Sequence, residues 1–143
     1  MFSILHIHPM VVHFPIALIL VAFLVEFINL TRKDKSEFFN EASYYLMLLG
    51  SIAGIVTILT GFFFTQEMIG EAGILREQHE DMAILSTIFI TIATVIRIVL
   101  RVQDKESSNM RWIYLVFFFI SVLGIMYTGL LGGNLVYNYL IGI

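Results

Sequence analysis

The chain has 143 residues, 59% of them apolar and 13% charged, and a mean hydropathy of +0.91. Soluble domains carry about 45–50% apolar and about 25% charged residues, so this composition excludes a soluble fold and indicates an integral membrane protein. There is no cysteine, which excludes disulfides, thiolate metal sites and thiol catalysis. The net charge of −3 comes with no basic cluster, so nucleic acid is not an expected partner.

A helix needs roughly 20 residues to cross the bilayer core, so the length suits one domain of four short-looped spans. Met1 to Pro9 contains no Lys or Arg, unlike a signal peptide, and the first apolar segment reads as a retained span. That span is expected at about 9–30. Pro9 suits a first helical turn, and Pro15 should loosen or kink the turns that follow. The polar run from Thr31 to Glu37 ends it. The second span is expected at about 42–65, followed by a polar loop or short surface helix from Gln66 to Gln78. The third is expected at about 80–101 and the fourth at about 111–137. The fold class is therefore all-α, a four-helix bundle in the membrane.

Arg32, Lys33, Lys35, Arg97, Arg101, Lys105 and Arg111 flank the first and third loops, and only Arg76 lies in the second. Basic residues accumulate on the cytoplasmic side. The expected topology is multi-pass in the inner membrane, with both termini and the Gln66–Gln78 loop on the periplasmic side. Tyr44, Tyr45, Trp112 and Tyr114 then read as a cytoplasmic aromatic belt.

Three of the four histidines, His6, His8 and His13, open the first span; His79 opens the third. Under this topology all four share one layer near the outer surface. Histidines in or beside a span are costly to place and usually have a partner or a task. Gly50, Gly54 and Gly61 on span two and Gly129 and Gly133 on span four suit close helix approach. A second reading has Gly61, Gly129, Gly132 and Gly133 clearing space for a flat cofactor. Glu67, Glu71, Glu77, Glu80 and Asp81 form an anionic rim, from which a carboxylate would bond the second nitrogen of a ligating imidazole. Glu26 is about 27 Å from His8 along a helix and belongs near the other surface.

Three roles suit the histidines. The first is polar anchoring at the interface, with backbone or water as partners. The second is axial ligation of a b-type haem by imidazoles from two helices; His13 and His79 are the best-placed pair, with His8 as substitute. The third is a bare ion: copper through nitrogen and Met10 thioether donors, or zinc or iron near the acids around His79. His8, His13 and His79 are the candidate metal ligands in each metal-binding case. No serine has a histidine–acid partner at matching depth, and there is no phosphate loop, so an electron-transfer or accessory protein is expected rather than a stand-alone enzyme.

The segment His8-Pro9-Met10-Val11-Val12-His13-Phe14-Pro15-Ile16-Ala17-Leu18 resembles the opening of a bacterial four-span membrane family known as a domain of unknown function. Gly129-Leu130-Leu131-Gly132-Gly133-Asn134-Leu135-Val136-Tyr137 resembles its closing Gly-His-Leu-Gly-Gly-x-Leu-Val-Tyr. Gly142-Ile143 is similar to its terminal Gly-Val, and Thr60-Gly61 and His79 match its second and third spans. The resemblance covers the whole chain. Some members carry a Rieske or cytochrome c-like domain, which implies a redox role at the outer surface. This chain has no such module, so the implied redox partner is a separate periplasmic or membrane protein. A homo-oligomer or a larger complex is the other setting considered. Leu130 stands where many members have histidine, and some lack one matching His13. The resemblance therefore implies His8 with His79 as the pair. The leading expectation is haem-based electron transfer; the rivals are an accessory subunit and a bare-ion site.

Overall fold

The computed structural model describes residues 7–33, 36–106 and 108–140. Among them there are helices and no strand: α1 (Ile7–Val11), α2 (His13–Thr31), α3 (Glu37–Phe64), α4 (Gly70–Val102) and α5 (Arg111–Leu135), the last continued by a π-helical turn, Val136–Leu140. Four segments are long and apolar enough to cross a membrane, with α1 and α2 together forming the first. Helices adjacent in sequence pack together, and α5 closes the ring against α2, giving an up-down-up-down bundle.

Pro15 accounts for the break between α1 and α2. Its ring would clash with the carbonyl four residues earlier, that of Val11, and it has no N–H to bond there. The helix is interrupted at Val12, and Pro15 falls in the first turn of α2, where proline is tolerated. The Gln66–Gln78 segment is mostly helix. It enters through Gly70, whose φ of +68° is the left-handed conformation glycine adopts readily. Good helix formers follow, and Arg76 pairs with Glu80 one turn on at 3.6 Å. At about 1.5 Å per residue, α4 spans about 50 Å, so its first turns stand clear of the roughly 30 Å hydrocarbon layer.

A seven-residue repeat sets the inward faces. In α2 the buried residues are Pro15, Ile19, Ala22, Glu26 and Asn29, and His8 falls seven before Pro15. In α4 they include Ser86, Ala93 and Leu100, and His79 falls seven before Ser86. Two histidines are thus in phase with the core of their own helices. The core joins Ile19, Ala22, Met47, Ile90, Ala93 and Phe118. Small residues let the backbones close up: a Cβ on Gly50 would lie 2.7 Å from Ile19 Cγ1, and one on Gly54 would lie 3.2 Å from the Thr87 side chain. The buried hydroxyls of Thr94 and Thr128 bond back along their own helices, to Ile90 O and Gly124 O, whereas those of Ser43 and Ser121 bond across to neighbouring helices.

Candidate functional site

The two in-phase histidines meet at the end of the bundle that holds the α3–α4 connection. The ring centres of His8 and His79 are 6.5 Å apart, with the planes at 85°. Each ring is fixed by a bond through Nδ1. The Thr60 hydroxyl lies 2.9 Å from Thr57 O and 3.1 Å from His8 Nδ1, and its one hydrogen can go to either. His79 Nδ1 lies 3.0 Å from Thr128 O, which is an acceptor only. His79 therefore carries its proton on Nδ1, which leaves its Nε2 lone pair for another partner. This is the arrangement of metal-ligating histidines, which donate their other N–H to an oxygen behind them.

Gly61 and Gly132 admit the rings themselves. A Cβ on Gly61 would sit 3.2 Å from His8 Cε1, and one on Gly132 would sit 2.9 Å from His79 Cε1. Their backbones are seats for the imidazoles rather than walls of an open slot. Among the described residues Gly129 meets Ile16 Cδ1 at 3.8 Å and Gly133 meets nothing within 4 Å. His13 takes no part. Its side chain is exposed and bonds back to Pro9 O at 2.8 Å. His6 lies outside the described residues. Thr60 and the Thr128 carbonyl stand behind the rings, not the expected carboxylates. The acids line a neighbouring polar cleft of about 550 Å³, with Glu67, Glu77, Glu80 and Asp81 around Arg76.

Two imidazoles on opposite sides of one metal ion, each nitrogen about 2 Å from it, have ring centres roughly 6 Å apart. The His8–His79 spacing suits that donor set. Among the described residues no group of three or more His, Cys, Asp or Glu side chains is placed to hold an ion.

A second polar centre lies at the other end of the bundle. Glu26 on α2 and Arg97 on α4 form an ion pair at 3.3 Å, both almost completely buried. Glu26 also accepts from Ser43 Oγ at 2.7 Å and from Tyr114 OH at 2.9 Å. Arg97 uses all five N–H groups: Nε to Glu106, Nη1 to Ser43 Oγ and Met47 Sδ, Nη2 to Asn40 and Glu26. Arg97, expected as a loop-flanking charge, and Tyr114, expected in an aromatic belt, both turn inward instead. A signal was present. Glu26 and Arg97 each lie five residues before the end of a helix running in the same direction (Glu26 to Thr31, Arg97 to Val102). Their depths match, and Glu26 is in phase with Ile19 and Ala22.

Apolar helices of spanning length, closed into a four-helix ring, define an integral membrane protein with four spans. Residues 5–143 match the family described as predicted membrane protein, DUF2231, and the chain belongs to that family. No curated protein and no solved structure matches it.

Proposed function

We propose that this membrane protein holds a b-type haem between His8 and His79 and passes electrons at the outer face of the inner membrane to a separate redox partner. The observation that carries this reading is the pair itself. Two imidazoles from helices far apart in sequence are each held through Nδ1, with ring centres 6.5 Å apart, which leaves Nε2 of each for a ligand. His8 and His79 would be the residues that hold it. Thr60 and the Thr128 carbonyl hold them in orientation and raise their basicity. Gly61 and Gly132 allow the rings to seat against the helix backbone, and the neighbouring α5 surface at Gly129 and Gly133 leaves room beside them. When bound, the haem supplies one-electron chemistry at a potential tuned by ligand identity, burial and hydrogen bonding. The orientation, with both termini and the histidines outside, is supported by the basic residues, which cluster at the opposite end apart from Arg76.

The absorption spectrum of protein purified from haem-replete cells tests this. A Soret band with a reduced α-band is expected, and His79→Ala should abolish both. Wild-type protein that carries no haem and takes up none when it is added would overturn the proposal. One observation favours a second reading, an accessory subunit in which the histidines only tie helices. The His8–Thr60 and His79–Thr128 bonds each join two helices directly. In that case His79→Ala would lower the thermal stability of a protein that was colourless to begin with.

A further inference from the structure

At the end away from the histidines, five side chains of alternating charge form one line: Glu26, Arg97, Glu106, Arg101 and Glu41. Arg97 Nε meets Glu106 at 2.8 Å, Arg101 approaches the other oxygen of Glu106 at 3.7 Å, and Arg101 also pairs with Glu41. Asn40 Nδ2 adds a bond to Glu106 at 3.3 Å. Four of the five lie on α2, α3 and α4. Glu106 alone lies on the connection to α5.

The path of the chain is built to bring Glu106 back. Helix α4 ends in a Schellman turn, with Lys105 N bonding Leu100 O at 2.8 Å and Asp104 N bonding Arg101 O at 3.1 Å. The left-handed position of that turn, normally glycine, is Asp104 at φ 54°. The turn reverses the chain, and Glu106 returns to Arg97, nine residues earlier. Arg97 is fully buried, whereas the Glu106 carboxylate bonded to it is 17% exposed, so Glu106 is the outermost cover of the buried pair. An ion chain of this kind adds little stability over apolar packing; its value lies in fixing one arrangement.

We infer that Glu106 is a latch. It closes the bundle end over Glu26 and Arg97, and withdrawing it gives the aqueous phase access to that buried pair. This inference does not depend on the haem reading.

The chain has no cysteine, so single cysteines report access directly. Met47, fully buried one turn deeper beside Arg97, is replaced by cysteine as the reporter. Ser121→Cys, fully buried on α5, is the control. Both are exposed in detergent to a charged methanethiosulfonate reagent, with Glu106 intact and with Glu106→Gln. The latch predicts that Glu106→Gln speeds labelling at Met47→Cys by at least about tenfold and leaves Ser121→Cys unchanged. Unchanged labelling at both positions overturns it, because the pair is then sealed without Glu106. Faster labelling at both also overturns it, because the whole bundle has then loosened. Should Glu106→Gln not fold, Arg101→Gln removes the other cation that holds Glu106, at 3.7 Å, and leaves the bonds of Arg97 and Glu26 in place. Met47→Cys should then label several-fold faster, and an unchanged rate overturns the inference.

Discussion

The two polar ends of this bundle use their hydrogen-bonding capacity in opposite ways. At the Arg97 end every guanidinium N–H has an acceptor, and Glu26 receives two hydroxyl donors beside its ion pair with Arg97, so the cluster is closed on itself. At the His8–His79 end each ring is anchored through Nδ1. Both clusters are costly to place among apolar helices, and under the proposed function only the second receives something. On that reading the comparison separates charge kept for architecture from polarity kept for a ligand. Burial alone would have ranked the ends the other way, since Arg97 and Glu26 are the more buried.

The largest expected effect follows from the closed end. Arg97→Leu leaves Glu26 buried without its counter-charge, and removing one partner of a buried pair costs about 3–5 kcal/mol. Thermal unfolding in detergent should show a large drop, and Glu26→Gln combined with Arg97→Leu should recover part of it. A double variant no better than the single one would mean that packing around Arg97, not its charge, is what matters.

The open end predicts a contrast within one pair of glycines. Gly132→Ala would place a methyl 2.9 Å from His79 Cε1, and forcing a methyl into a packed site costs about 1–3 kcal/mol. Gly133→Ala meets nothing within 4 Å among the described residues and should leave stability unchanged. Equal melting temperatures for the two would show that His79 moves freely and is not seated on the α5 backbone.

How much of this was legible in the sequence differs between the two ends. The four spanning helices follow from four long apolar stretches, and the family motifs point to the same architecture. The early start of α4 was obscured because its first turns are polar. Polar residues in a membrane chain suggest a loop, yet here they form a helix standing in water. The histidines were placed by depth, which cannot choose among neighbours on one helix. Azimuth can. His8 and His13 are five residues apart, roughly 140° around a helix at 100° per residue, so they cannot both face the same partner. The seven-residue spacing that aligns His8 with Pro15 and Ala22, and His79 with Ser86 and Ala93, was readable without coordinates. The same phase puts Glu26 on the inward face. What no spacing rule supplied was the return of Glu106 to Arg97, because that depends on a left-handed turn at a residue that is not glycine.

The smallest effects sharpen the choice of ligand. Thr60→Val keeps the shape of the side chain and removes the oxygen that bonds His8 Nδ1. The loss of one such bond is about 1 kcal/mol, softened here because the Thr57 carbonyl also lies within reach of the His8 ring. In haem-loaded protein the same change weakens the support behind a residue that holds the haem, and partners of this kind are typically worth about 10–100-fold in metal affinity. Haem titration of Thr60→Val should therefore show weaker binding with little change in melting temperature. His13→Ala deletes the same kind of ring five residues away, from an exposed position bonded, among the described residues, to its own backbone turn. It should change neither stability nor haem binding. A loss of haem in His13→Ala equal to that in Thr60→Val would move the ligand from His8 to His13, and with it the axis on which the open end is built.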